Sequence, residues 1–300
     1  MRGLSSGLGS VLAALACPVC SQSLAVSDAV PGALACPARH SFDLARSGYV
    51  SLVQGDAPDQ PGDSPAMVRA RADFLDAGHY WPIAQAVAAS VVAGLASSSG
   101  PAGTGLAAPL VLDLAGGTGY YLAAVLDALS CARGLVLDRS PAAAKRAARC
   151  HPRAAAATAD AWRPLPLRDS VVSHAISVFG PRGAVELARV TAPGGGLTVV
   201  TPGARHLTEV RAGGWLLGIG GEKEAKLDAA LEGFELARRE RLEHVARLDR
   251  RQATNLVMMG PNAFHTTRTA VDERLEGLSW PLATTVEVVV SRYRRRSERN

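Results

Sequence analysis

Three hundred residues, 48% hydrophobic but only 5% aromatic, are enough to bury one large core and to carry a small satellite module. The net charge of +5 and isoelectric point near 9.2 suit a polyanionic partner without requiring one. No stretch approaches the roughly 18 apolar residues of a membrane span, which excludes a membrane-spanning class.

The opening MRGLSSGLGSVLAALAC loosely imitates an export signal, but its apolar run is too short for that role. Cys17 is better employed as a metal ligand. CPVC at 17–20 and CPARH at 36–40 give C-x2-C, fifteen intervening residues and then C-x3-H. Cys17, Cys20, Cys36 and His40 therefore offer four donors for a tetrahedral zinc ion with no open position, a structural rather than a catalytic site. A small module with few large apolar residues needs such a staple; a reduced, metal-free cluster is the alternative. Cys131 and Cys150 sit in helix-like apolar surroundings and read as small buried side chains. An odd set of five cysteines argues for a reducing compartment, so the expected location is the cytoplasm. FDLARSGYVSLV then closes a small β-rich unit spanning 1–55.

QGDAPDQPGDSP reads as a linker. PAMVRARADFLDAGHYWPIAQAVAASVVAGLA has helical spacing, interrupted near Gly78 and Pro82, and SSSGPAGTG is a connection, so 56–108 form a linker and helical segment. From 109 to 300 strands and helices alternate. LVLDLA, GLVLD, AAAATAD, SHAISVF and GLTVVTP are short, continuous apolar strands, the form expected when helices cover both sheet faces. YYLAAVLDAL is a helix, and SPAAAKRAARC is another, with Ser140 as N-cap and Pro141 at its first position. Beyond Pro202, EKEAKLDAALEGF and RRQATNLVMMG look helical and TTVEVVVSRY alternates like a strand. The fold class is α/β, a doubly wound, Rossmann-like sheet of seven strands with a small N-terminal zinc-binding module.

In such a sheet ligands bind beyond the carboxyl ends of the strands, and DLAGGTG puts Gly116, Gly117 and Gly119 there. Structural turns use glycine too, so the turn gains meaning from its partners. Asp138 ends the next strand about twenty residues on, where a carboxylate accepts from both ribose hydroxyls. The turn lacks the G-x-G-x-x-G register of a dinucleotide site, and Asp113 precedes it. That order favours S-adenosylmethionine, which carries a positive sulfonium and an amino-acid group but no phosphate. Asp160, closing the third strand, reaches the adenine amino group or else serves as a turn cap.

With these residues in view, the chain resembles the bacterial 23S rRNA (guanine-N1)-methyltransferases, including macrolide-resistance enzymes of the tylosin and mycinamicin type. The resemblance covers nearly the whole length and rests on CPVC, CPARH, FDLARSGYVSL, PGDSPAMVRARADFLDAGHYWPI, LDLAGGTGYY, SVFGP with ELARVTAPGG, and TPGARHL. It implies methylation of a guanine N1 in a 23S rRNA hairpin, macrolide resistance, a zinc module that helps recognise the hairpin, a homodimer, and no DNA or membrane partner. Carried over by position, Tyr80, Gly119, Tyr120 and His206 contact the cofactor. On residue type alone Tyr80 packs a helix end and His206 caps a turn. One departure stands out: relatives place asparagine or isoleucine ahead of an aromatic, alanine and proline, where this chain has Ser177 and Gly180.

Methyl transfer from a sulfonium is an in-line displacement, so catalysis is chiefly alignment. Guanine N1 lies on the Watson–Crick edge, so the base is unpaired or flipped and loses a proton; no residue type in the sequence singles out the base that takes it. VFGPRG is expected to line the base pocket, with Phe179 a stacking candidate and Arg182 a phosphate or O6 contact; ordinary core packing is the alternative for Phe179. Arg39, Arg46, Arg69 and Arg71 are the preferred phosphate contacts. The C-terminal Arg292, Arg294, Arg295, Arg296 and Arg299 form either a further cationic surface or a solvated tail. Two other functions fit the same residues: a methyltransferase acting on a small molecule, and an inactive zinc-dependent RNA-binding factor.

Overall fold

The computed structural model describes residues 4–53, 62–97, 108–212, 214 and 223–296. Helix α1 (Ser6–Val11) starts where the Leu8 N–H donates to the Ser5 hydroxyl, and it buries Leu8 and Val11. Strands β1 (Ala25–Val26), β2 (Ala33–Ala35) and β3 (Ser41–Asp43) form a separate antiparallel sheet. Strands this short cannot hold a core, so the cysteines and His40 around them must. β4 (Val50–Ser51) leaves that unit and joins the main sheet.

Helix α2 (Pro65–Asp76) has Ser64 as N-cap and Pro65 in its first turn; after a break at Gly78 (φ +83°), α3 (Trp81–Ser97) runs off at 86°. Then come β5 (Leu110–Leu114), α4 (Tyr120–Ala128), β6 (Arg133–Asp138), α5 (Pro141–Ala147), β7 (Ala154–Thr158), β8 (Val172–Val178), α6 (Ala184–Val190) and β9 (Thr191–Pro202). The remainder is α7 (Thr208–Ala212), α8 (Lys223–Ala230), β10 (Phe234–Leu248), α9 (Arg250–Met258), α10 (Arg268–Arg274) and β11 (Leu282–Arg295). Ser140 caps α5 through the Ala143 N–H, and Pro141 opens it, as the sequence predicts. No single helix among the described residues is long and apolar enough to cross a membrane.

The main sheet has the order β10-β11-β9-β8-β5-β6-β7-β4, with β4 to β9 parallel, β11 antiparallel to β9 and β10 antiparallel to β11. Seven of these eight strands come from the segment where seven are expected. The eighth, β4, pairs only Val50 with Ala157 and Ser51 with Thr158, too short a stretch for a periodic signal. β10 escapes sequence reading for a different reason. It is a 15-residue edge strand in which arginine and glutamate replace the apolar alternation; such charges also discourage pairing of the open edge.

Side chains alternate across the sheet. Leu110, Leu112, Leu114, Leu135 and Leu137 face one cluster with Leu8, Val11 and Leu187; Val111, Val136, Ile176 and Val200 face the other, with residues of α3, α4 and α9. A boundary at residue 55 separates compositions but not packing, because Leu8, Val11, Val50 and Leu52 share a cluster with Leu110 and Leu112. Likewise the 65–97 helices cover the sheet instead of spanning a gap. β7 presents four successive alanines, and α1 lies so close that a methyl group on Gly7 would run into the Ala154 carbonyl. From β5 the chain winds through β6 and β7 on one side, then crosses to β8 and β9 on the other. The reversal opens a crevice between β5 and β8 at their carboxyl ends.

Candidate active site and metal cluster

The glycine turn leaves β5 into this crevice. Ala115, Gly117 and Gly119 all take left-handed backbone (φ +55°, +57° and +77°), which folds the turn tightly over the strand end. Gly116 lies against Asp113 so closely that a side chain there would be driven into the carboxylate. Asp113 is 1% exposed; neither oxygen has a partner at ordinary hydrogen-bond distance, the Leu122 N–H acting on it weakly, and among the described residues no cation pairs with it. Burial, reinforced by the negative Asp138, pushes its carboxyl up to about 8. A carboxyl held this way is a site for a cation.

Asp138 accepts the Gly117 and Ser140 N–H groups, each at 2.8 Å, and burial raises its carboxyl as well. Asp160 pairs with Arg139 at 3.2 Å and accepts the Trp162 N–H at 3.0 Å. All three carboxylates line one cavity of about 490 Å³ with Gly116, Gly117, Tyr80, Tyr120, Phe179 and His206. Gly119 adjoins this wall as the residue before α4. The donor set fits a nucleoside bearing an amino-acid group. Among the described residues Asp113 has no cationic partner and so suits the ammonium; Asp138, at the end of β6, suits ribose hydroxyls; Asp160, one strand further, suits an adenine amino group.

Tyr80, 2% exposed, shares a hydrogen bond with His206 Nε2 at 3.2 Å. Burial pulls the imidazole down to about 4, so it is neutral at pH 7, and burial keeps the Tyr80 hydroxyl protonated. Phe179 completes the wall, 6.0 Å from Tyr80 and 5.5 Å from His206 between ring centroids. It is 40% exposed with φ +56°, so it is a pocket wall and not core. Arg182 does not join it. Its guanidinium folds back onto the Gly180 carbonyl at 3.1 Å, outside the cavity lining.

Two residues of this region are not singled out by sequence reasoning. Trp162 stands 71% exposed on the cavity rim. Glu287 is 2% exposed in β11, accepting the Arg205 N–H at 2.6 Å and the Arg241 guanidinium at 2.7 Å, with Gly203 packed against its carboxylate. Burial raises this carboxyl, but those two bonds outweigh it and the net direction is down. Glu287 thus clamps the 203–206 turn that carries His206. A lone acid inside TTVEVVVSRY is the signal that marks it. Glu287→Ala is expected to cost about 1–3 kcal/mol in denaturant unfolding and to weaken cofactor binding through the freed turn.

The predicted phosphate contacts divide. Arg39, Arg46 and Arg69 are exposed. Arg71 is not a surface contact: its guanidinium turns inward, 2.5 Å from Asp63 and 2.6 Å from the Met259 carbonyl, beside Gly117. The arginine-rich end is not a tail over Arg292, Arg294 and Arg295, which belong to β11; Arg295 bonds the Thr191 carbonyl and Ser170. Arg296 follows the strand, and Arg299 lies outside the described residues.

The ligand atoms of Cys17, Cys20, Cys36 and His40 lie within 4.8 Å of one another. Individual separations are 3.6 Å for Cys20–Cys36, 3.6 Å for Cys17–His40 and 3.3 Å for Cys36–His40. Those are close to the edges of a tetrahedron built on zinc–sulfur bonds of about 2.3 Å. Burial pushes the Cys17 thiol up to about 11; at Cys36 hydrogen bonds with His40 and Cys20 outweigh burial and bring the thiol down to about 7. The cluster fits a closed structural zinc site.

Residues 15–54 match the zinc-ribbon family described as RlmA, N-terminal. Over 287 residues the chain is 45% identical to a protein of Micromonospora griseorubida assigned as a 23S rRNA (guanine-N(1)-)-methyltransferase, covering 93% of this chain and 97% of that one. It is 42% identical over 252 residues to the 23S rRNA (guanine(748)-N(1))-methyltransferase of Streptomyces fradiae, covering 84% of this chain and 86% of the relative.

Proposed function

The chain belongs to the 23S rRNA (guanine-N1)-methyltransferase family, and from that premise we propose that it methylates N1 of a guanine in a 23S rRNA hairpin and thereby confers macrolide resistance. The observation that carries the reading is the buried Asp113 carboxylate beneath the glycine turn, with no ordinary hydrogen-bond partner and in one cavity with the open face of Phe179. The name of the Streptomyces fradiae relative supports guanine 748, or its equivalent, as the nucleotide to examine first. The protein acts as a homodimer in the cytoplasm.

When bound, S-adenosylmethionine supplies a methyl group already attached to a good leaving group. This chain's residues then have three tasks. Asp113, Asp138 and Asp160 hold the donor at its amino, ribose and adenine groups. Tyr80, His206 and Phe179 form a largely apolar wall that excludes water from the reacting methyl. Phe179, exposed and fixed by its backbone, stacks the flipped guanine so that N1 faces the methyl carbon. With the donor bound, the N1–carbon bond would form as the carbon–sulfur bond breaks, S-adenosylhomocysteine keeping the electron pair and the N1 proton passing to water. Arg39, Arg46 and Arg69 bind hairpin phosphates.

Incubating the zinc-loaded protein with methyl-labelled cofactor and unmodified large-subunit rRNA, then mapping the labelled nucleotide, tests the reading. Label at guanine N1 supports it. Label on small molecules alone, or cofactor binding without turnover on any RNA, would sink it. Trp162 adds a sharper expectation, because an exposed indole at the mouth of a base pocket is a stacking platform for a neighbouring base. Trp162→Ala should weaken hairpin binding by roughly 10-fold in filter binding while S-adenosylhomocysteine affinity by calorimetry stays within about twofold.

A further inference from the structure

The cavity read as a cofactor site is lined beside the glycine turn by a guanidinium whose internal partners leave donors free, and resting on that reading we infer that Arg71 binds the carboxylate of the methyl donor's amino-acid group, with Asp113 taking the ammonium. The two together form a clamp for a zwitterion. An amino-acid group carries both charges a few ångströms apart, so a site made only of acids would attract one end and repel the other. Asp63, Asp113, Asp138 and Asp160 all line the cavity. His206 is neutral, and Arg139 is engaged with Asp160 at the adenine end. Next to the glycine turn, the lining cation is Arg71.

Its position is built rather than incidental. A methyl group on Gly117 would come within 2.9 Å of Arg71 Nη1, so the guanidinium lies directly over the turn. Arg71, Asp113 and Tyr121 line the same cavity. Asp63 holds Nη1 at 2.5 Å and the Met259 carbonyl accepts from Nη2 at 2.6 Å. These bonds orient the fork and use two of its five N–H donors, leaving donors to reach a carboxylate. A fork fixed in advance loses little entropy when the ligand arrives. At 24% side-chain exposure it is also too enclosed to meet an RNA backbone.

The clamp makes the site selective for nucleosides that keep the amino-acid group. Calorimetry on the zinc-loaded full chain, with S-adenosylhomocysteine and with 5′-methylthioadenosine, which lacks that group, separates this role from others. Arg71→Met should weaken S-adenosylhomocysteine binding about 10- to 100-fold and leave 5′-methylthioadenosine and hairpin RNA affinities within about twofold. Equal losses for both nucleosides, unchanged S-adenosylhomocysteine affinity, or a loss confined to RNA would each overturn the assignment. If Arg71→Met does not fold, Arg71→Lys carries the test, because a point charge cannot reproduce the fork and should give a smaller loss for the same ligand alone. A wild-type protein that binds no S-adenosylhomocysteine would instead remove the cofactor reading itself.

Discussion

Asp113→Asn should weaken S-adenosylhomocysteine binding about 10- to 100-fold at pH 8 and abolish its pH dependence. In the free protein burial, with the nearby Asp138 charge, pushes the carboxyl from 3.8 to about 8. A carboxyl raised on folding favours its protonated form. The stability it contributes is therefore fully present below about pH 4 and is lost as the pH rises through about 8. The amino group of the ligand reverses that preference, because a cation beside the carboxylate favours ionisation. Wild-type affinity should accordingly climb with pH up to about 8, and binding below that point should release a proton, readable as different calorimetric heats in buffers of different ionisation enthalpy. Without the titrating group, the asparagine variant should bind weakly with a flat profile, and its free form should unfold at a higher temperature than wild type at pH 8 but not at pH 4. An asparagine variant that kept both the affinity and the slope would show that the ammonium lies elsewhere.

Removing zinc should act by a different route. Structural zinc sites of this type contribute about 10–16 kcal/mol of apparent binding energy near neutral pH. Strands of two and three residues have nothing comparable to replace it. The module is pinned to the main body at both ends: the Ala16 N–H donates to Pro166 O at 3.0 Å and Leu15 bridges Leu167, while β4 pairs with β7 and the Leu52 N–H reaches Thr158. Those anchor points flank the loop that carries Asp160 and Trp162. Chelation, or Cys36→Ser, should therefore eliminate hairpin binding and also lower S-adenosylhomocysteine affinity severalfold, with small change in far-ultraviolet circular dichroism. Intact affinity for both ligands after verified zinc loss would refute the coupling.

The cofactor half of the site is legible in the sequence because its parts sit at fixed offsets along a βα pattern: an acid and glycines ending β5, an acid ending β6, an acid after β7. The zinc ligands are legible for the same reason, their spacing being local. Glu287 is far in sequence from the turn it clamps, and only the antiparallel placement of β11 brings them together. Arg71 and Arg69 are indistinguishable by composition, yet two positions on a helix turn one toward the crevice and the other toward solvent. Phe179 is read more often as core, since nothing in VFGP reveals the left-handed backbone that swings its ring into the cavity. β10 hides because a charged edge strand lacks the alternation on which strand reading relies.

The alanine strand has a bearing on how this architecture can drift. Where α1 rests on β7, main chain meets main chain at Gly7 and Ala154, with hardly any side-chain cushion between them. Elsewhere a bulkier residue on one surface can be offset by a slimmer one opposite; at this seam neither partner has an atom left to give up. The first helix is thus tethered to the main sheet by a joint that substitution can break but hardly retune.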